Sequence, residues 1–250
     1  MSGEREKHAD LLRELEDNAL TPNYHRWIYS KFKPYLGRRI LEIGGGLGNQ
    51  TEMYLRDSEY VITVEVVDFL AEKLKEKYVG NENIEVLSMD AGDDALVEKC
   101  GRVRIDSVVL VNVLEHIEED EKVLSNLQKC LVPGGRLFLF VPAYKLLFSD
   151  WDVSVGHYRR YGRAELKTKV EEAGFRIIRL QYMNTLGFFA WFLNARILKK
   201  TPDSDHDIRS QAVFYDRYVV PFLSVAERII PVFFGQSLVC VAEAGRTQSG

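Results

Sequence analysis

The sequence predicts an α/β fold in which helices cover both faces of a mainly parallel sheet. From residue 38 onward, short apolar segments alternate with helical ones, as is typical of repeated βαβ units. The segments 107–111 and 137–141 are almost continuously apolar, which indicates strands buried on both faces. We therefore expect a doubly wound sheet whose carboxyl edge can bind a ligand.

The composition is that of an ordinary globular protein. Of the 250 residues, 46% are hydrophobic and 28% are charged, and the net charge of −4 gives no general attraction to nucleic acid. The three cysteines lie far apart in the sequence and show no metal-binding spacing, so a reducing, cytoplasmic location is expected. The charged N-terminus does not resemble a signal peptide, and the longest uncharged run, 180–195, is too short and polar to cross a bilayer.

The secondary structure is predicted from hydrophobic periodicity. The first five strands are expected at 39–43, 60–65, 84–87, 105–112 and 136–141, separated by helices at 48–56, 68–78, 93–99 and 119–131. Later elements are a helix at 163–172, strands at 174–180 and 237–242, and helical stretches at 184–200 and 211–230 on either side of a polar loop. Residues 1–36 are predicted to form N-terminal helices, the first at 4–18. Residues 37–250 are predicted to form one domain with a helical cap inserted at about 184–234, whose second helix should kink at Pro221.

A glycine-rich loop closes the first strand and opens a helix. Gly44, Gly46 and Gly48 allow the backbone to approach a ligand, and the helix N-terminus offers unpaired N–H groups. A tight strand-to-helix turn would use the same glycines. A dinucleotide fingerprint requires glycine where Asn49 stands, which disfavours an NAD-dependent oxidoreductase.

Acidic residues follow the next two strands. Glu65 ends the second strand, where a carboxylate can accept both hydroxyls of a ribose, and Asp90 follows the third strand. Each acid by itself fits a solvated strand end. Together with the loop and in this order, they indicate a nucleoside-like ligand.

The run E-x-G-x-G-x-G, headed by Glu42, resembles motif I of the class I S-adenosylmethionine (SAM)-dependent methyltransferases. The segments 105–117 and 131–137 resemble later motifs, and the resemblance over about 24–182 is closest to the small-molecule, ubiquinone-biosynthesis-like group. It implies a Rossmann-like sheet of seven strands in the order 3-2-1-4-5-7-6 with strand 7 antiparallel. It also implies SAM as cofactor and S-adenosylhomocysteine as product.

The resemblance implies which residues contact the cofactor. The loop would wrap its methionine end, Asp90 would accept from the adenine amino group, and the Ala91 N–H would meet a ring nitrogen. Tyr24 and Trp27 could close over the cofactor, as the N-terminal helices of related enzymes do, although core aromatics would look the same. The implied cofactor-binding residues are Glu42, Gly44, Gly46, Gly48, Glu65, Val66, Asp90, Ala91, Asn112, Tyr24 and Trp27.

The run G-H-Y-R-R-Y at 156–161 follows the fifth strand, where open α/β sheets bind ligands. Methyl transfer depends mainly on alignment, and a base helps when the acceptor must lose a proton. His157 is the first candidate base and His116 the second. The candidate acceptor-binding residues are Tyr144, His157, Tyr158, Arg159, Arg160 and Tyr161, the arginines being suited to a carboxylate or phosphate. Alternatively, these arginines pair with Asp150, Asp152 or Glu165 and order the loop.

No metal is expected at the exit of the fourth strand. In the quinone O-methyltransferases that this chain resembles, a related E-x-x-E-H run is associated with a divalent ion, but Asn112 replaces the first acid here. Glu115 and His116 would then start a helix and pack beside the cofactor.

The cap is unusually aromatic. Its rings could pack on the sheet, line an apolar acceptor pocket, form a homodimer face or rest on a membrane surface. The predicted function is SAM-dependent O- or N-methylation of an apolar or anionic small molecule. The alternative is a non-catalytic SAM-binding regulator or scaffold. Nucleic-acid methylation is disfavoured, because the chain has no basic stripe and no N-P-P-Y or D-P-P-Y run.

Overall fold

A computed structural model describes residues 19–193 and 205–245, together with positions 12, 15 and 16. Most of the helix predicted at 4–18, and the part of the cap at 194–204, lie outside these residues. Within the described part of the chain, no helix is both long enough and apolar enough to span a membrane.

The sheet has seven strands in the order β3-β2-β1-β4-β5-β7-β6, as the resemblance implied. The strands are β1 (Arg39–Ile43), β2 (Tyr60–Glu65), β3 (Ile84–Ser88), β4 (Ile105–Val111), β5 (Leu131–Pro142), β6 (Phe175–Met183) and β7 (Ser237–Ala244). The pairs among β1 to β5 are parallel, and β7 lies antiparallel between β5 and β6. The carboxyl ends of β1 to β6 therefore meet at one edge.

Helices connect the strands. They are α1 (Pro22–Phe32), α2 (Thr51–Asp57), α3 (Asp68–Lys77), α4 (Asp94–Val103), α5 (Asp120–Cys130), α6 (Asp150–Ser154), α7 (Arg163–Glu172), α8 (Thr185–Trp191), α9 (Asp205–Phe214) and α10 (Val220–Ile229). One hydrophobic cluster joins one face of the sheet to residues of α4, α5 and α7, and a second joins the other face to α1 and α10. Burial on both faces explains the continuous apolar strands.

Several boundaries differ from the predicted ones. Helix α2 begins at Thr51 rather than Gly48, because Gly48 has a φ of +80° and lies in the loop. Strand β4 ends before Asn112, which has a φ of +51°. Strand β5 already begins at Leu131, and helix α6 was not predicted. In the cap, the helix that was expected from 211 begins at Asp205, and a π-helical turn at Tyr215–Val219 precedes Pro221, where a kink was predicted.

Candidate active site

The glycine loop takes a conformation that favours glycine at three positions. Gly44, Gly46 and Gly48 have φ values of +77°, +53° and +80°. A Cβ on Gly44 would also come within 2.4 Å of Val113 Cγ2, at the exit of β4. A Cβ on Gly46 would meet only Leu15 within 4 Å among the described residues, so this glycine faces the space above the loop.

The acid of β2 lies directly beside this loop. Glu65 is buried, and its Oε2 accepts a hydrogen bond from the Gly46 N–H at 3.0 Å. Its Oε1 accepts from the Val67 N–H at 3.0 Å, and the neighbouring Val66 is exposed. A carboxylate held against the loop can serve a ribose next to it.

The acid that follows β3 lies at the same edge of the sheet. The exposed Asp90 accepts a 2.6 Å bond from the Gly92 N–H, and Ala91 between them is buried. Strand β2 lies between β1 and β3, so the loop, Glu65 and Asp90 follow three adjacent strands. This arrangement fits an elongated nucleoside that carries an amino-acid group.

Glu42 is a buried carboxyl group under the loop. It accepts a 2.5 Å bond from Thr51 Oγ1 at the start of α2. Burial raises the pKa of Glu42 to about 7, and the bond from Thr51 offsets this only in part. The group is thus poised between its neutral and charged forms near physiological pH.

We expect Glu42→Gln to remove a pH dependence of folding stability. The folded pKa of about 7 lies above the ordinary value of 4.5, so the unfolded chain releases this proton at lower pH. Wild-type stability should fall between these two values, by on the order of 3 kcal/mol. Urea unfolding from about pH 5 to about pH 8 measures the difference. The exposed Glu72→Gln is the control, and a wild-type-minus-Glu42→Gln difference that is constant with pH would contradict the prediction.

Backbone strain concentrates at the carboxyl edge. Asn112, Tyr144 and Asn184 follow β4, β5 and β6, and they have φ values of +51°, +63° and +68°. Among the non-glycine residues that the structure describes, only Arg104 otherwise has a positive φ. Strained residues of this kind persist where the surrounding structure imposes them, commonly at ligand sites.

His157 is oriented by a carboxylate that sequence reasoning did not single out as functional. Its Nδ1 lies 2.9 Å from Oδ1 of the fully buried Asp152 on α6. Burial opposes ionisation of Asp152, but the contacts with His157 and Arg160 outweigh it and hold the pKa of this carboxyl below its usual value. A bond from Nδ1–H to the carboxylate leaves Nε2 as the proton acceptor of the neutral ring.

Both arginines pair with acids, Arg160 with one of the acids expected and Arg159 with Asp120, which was not among them. Arg160 is 2% exposed, and its Nε lies 2.8 Å from Asp152 Oδ1. Arg159 pairs with Asp120 at 2.8 Å and also donates to the Glu118 carbonyl.

The two tyrosines of this run have different environments. Tyr161 is fully buried and donates to Asp120 at 2.9 Å, whereas Tyr158 is exposed. Of the side chains at 157–161, Tyr158 is therefore exposed and His157 partly exposed, whereas Arg160 and Tyr161 are buried.

We expect Arg160→Met to destabilise the protein by about 3–5 kcal/mol, because it leaves the buried Asp152 charge without its ion-pair partner. Arg160→Met combined with Asp152→Asn should recover much of this loss, since no buried charge then remains. Urea unfolding of both single variants and the double variant gives the coupling energy. A loss below about 1 kcal/mol for Arg160→Met would show that the pair contributes little.

Glu115, His116 and His157 form a cluster. One ligand atom from each lies within 4.8 Å of the others, and the two imidazole rings are 4.6 Å apart. Glu115 is fully buried, neither of its oxygens has a hydrogen-bond partner among the described residues, and burial raises its pKa to about 8. Burial and the neighbouring His157 lower the pKa of His116 to about 4. This donor set could hold a metal ion, and the expectation that none is needed stays a prediction.

Aromatic rings also lie at this edge, near the ends of β5 and β6. Tyr144 stacks on Tyr182 at 5.1 Å, and Phe188 of the cap meets Tyr144 edge-on at 5.3 Å. Tyr24 contacts Phe140 and lies near Asn184, whereas Trp27 is buried in the core with other aromatics of α1. A lid role for Tyr24 and Trp27 therefore stays a prediction, and Trp27 already has a packing role.

The comparisons with known proteins agree with this geometry. A family model for a methyltransferase domain matches residues 5–180. Over 117 residues the chain is 32% identical to squalestatin hexaketide synthase from Phoma sp., covering 43% of this chain and 4% of that protein. Over 107 residues it is 28% identical to phosphoethanolamine N-methyltransferase 1 from Triticum aestivum, covering 42% of this chain and 21% of that protein. The matches thus span a small part of either relative.

Among solved structures, a SAM-dependent methyltransferase from Archaeoglobus fulgidus superposes with a TM-score of 0.54 at 16% identity, covering 88% of this chain and 94% of that one. At this identity the likeness shows the fold alone. The family model covers more than half of the chain. The glycine loop, Glu65 and Asp90 are arranged to fit a nucleoside that carries an amino-acid group. The chain therefore belongs to the methyltransferase-domain family, and its cofactor is S-adenosylmethionine.

Proposed function

We propose that the protein transfers the methyl group of SAM to an oxygen or nitrogen atom of an apolar or aromatic small molecule, with His157 as general base. The observation that carries this proposal is the bond between His157 and the buried Asp152 at the carboxyl edge. SAM supplies a methyl group already activated on a sulfonium. The protein must therefore align the acceptor and, where the acceptor has to lose a proton, accept that proton.

His157 is connected to the glycine loop through His116 and Val113, which supports its role as the general base. Val113 contacts Gly44 of the loop, and the His116 N–H bonds to the Val113 carbonyl at 3.0 Å. The His157 ring lies against His116. Its Nε2, freed by the bond from Nδ1 to Asp152, can accept a proton from an acceptor hydroxyl or amine and hold it as an imidazolium beside the carboxylate.

The aromatic side chains near the ends of β5 and β6 support an apolar acceptor. Tyr144, Tyr182 and Phe188 offer π-faces and edges on which an aromatic or alkyl group can pack. Arg159 and Arg160 already pair with Asp120 and Asp152, so these two cations are less available to bind an anionic acceptor. The resemblance to the ubiquinone-biosynthesis-like group is consistent with a small phenolic acceptor.

Methyl-labelled SAM tests this proposal. The protein is incubated with it and with separate pools of phenols, catechols, amines and carboxylates, and S-adenosylhomocysteine and labelled products are measured by mass spectrometry. We expect label in a phenol, catechol or amine. SAM binding without S-adenosylhomocysteine above the level of a Gly46→Val variant would instead support the regulator or scaffold alternative.

A further inference from the structure

The described helices of the cap present an apolar stripe that is exposed to solvent. Its members are spaced three or four residues apart, so they share one side of α9, the π-helical turn and α10, and the stripe continues just beyond α10. All are exposed, with Phe222, Ile229 and Phe233 at 72%, 80% and 82%. The apolar stripe consists of Phe214, Tyr218, Phe222, Val225, Ile229 and Phe233.

The opposite side of these helices holds the cap on the protein. Val220 and Leu223 are buried in the cluster that contains α1. The buried Asp216 accepts from the backbone N–H groups of Asn23 and Tyr24 at 3.2 and 2.7 Å. The orientation of the helices is thus determined by contacts on the inner side, and the apolar stripe is left facing outward.

The charges of the cap are divided in the same way. Glu227 accepts from the backbone N–H groups of Asn184 and Thr185, so its carboxylate, like that of Asp216, is directed inward. Among the described side chains of 215–234, the exposed charged ones are both arginines, Arg217 and Arg228. The protein as a whole has a net charge of −4, so a cationic outer face on the cap is a local feature.

We propose that the apolar stripe docks on the surface of an anionic lipid bilayer. An amphipathic helix with apolar residues on one side and arginines beside them is suited to the headgroup boundary, where the apolar side chains leave water and the cations meet anionic lipid. A second copy fits this surface less well. A two-fold interface buries the same surface of both copies, so both would contribute Arg217 and Arg228, with no exposed acid among the described side chains of 215–234 to pair with them.

The stripe is continuous with the candidate active site. Phe234 follows Phe233 and contacts Phe188 at a ring distance of 5.6 Å, and Phe188 contacts Tyr144 at the end of β5. Docking through the stripe would therefore bring the carboxyl edge of the sheet near the lipid surface. Docking of the apolar stripe on lipid does not depend on catalysis.

Co-sedimentation of the full chain with vesicles tests the proposal. Vesicles of phosphatidylcholine mixed with phosphatidylserine are compared with phosphatidylcholine alone, at low and high salt. We expect binding to the anionic vesicles that weakens with salt. The double variant Phe222→Ser/Ile229→Ser should bind at least about tenfold more weakly, because two apolar side chains no longer leave water. Arg217→Glu/Arg228→Glu should lose the preference for anionic vesicles.

The control is Val79→Ser, at a valine that is 83% exposed on the turn after α3 and outside the cap. It should bind vesicles as the wild type does, and all variants should keep wild-type SAM affinity, which shows that they are folded. Wild-type protein that stays in the supernatant, or equal vesicle binding by the Phe222→Ser/Ile229→Ser variant, would overturn the proposal. A dimer in analytical ultracentrifugation that this variant dissociates, without vesicle binding, would assign the stripe to a second copy.

Discussion

Replacing Gly46 with valine is expected to abolish SAM binding, with a loss of affinity of at least about a hundredfold. Gly46 has a φ of +53°, a conformation that a β-branched residue rarely adopts. Its Cβ would point into the space above the loop, where Leu15 is the only described neighbour within 4 Å. Calorimetric titration with SAM measures the loss.

Gly134→Val is the matched control for backbone strain. Gly134 also has a positive φ, of +78°, and no atom lies within 4 Å of an added Cβ. It lies near the amino end of β5, at the opposite edge of the sheet. We expect Gly134→Val to lose stability but to keep SAM affinity. Undiminished affinity in Gly46→Val would show that the loop does not line the cofactor site.

Replacing His157 with alanine is expected to lower kcat by about 10²–10⁴ while SAM affinity stays near wild type, because a general base contributes in this range. The rate should be measured across pH once an acceptor is known.

Val153→Ala is the matched control for the second prediction. Val153 lies on α6 next to Asp152, is exposed and has no part in the His157–Asp152 bond. This variant should keep wild-type kcat. If His157→Ala turns over within about twofold of wild type at every pH, the acceptor loses its proton without His157 and the proposed base is wrong.

The tertiary structure decided which side chains of the run 157–161 are buried. The sequence placed five polar or aromatic residues in a row at 157–161 but could not show which side chains turn inward. Asp152 is five residues before His157 and looks like any surface acid in the sequence. It is the fold of α6 that buries it, so that it binds both His157 and Arg160.

Local chemistry in the sequence was sufficient for the alternation of strands and helices, the glycine loop and the acids at the ends of β2 and β3. Apolar periodicity and glycine spacing are properties of neighbouring residues, and the motif resemblance supplied the topology. Contacts between distant segments were decided only in three dimensions. The Asp216 bonds to α1, the cluster of Glu115 with two histidines, and the outward apolar stripe depend on how helices pack, and packing joins residues that the chain keeps far apart.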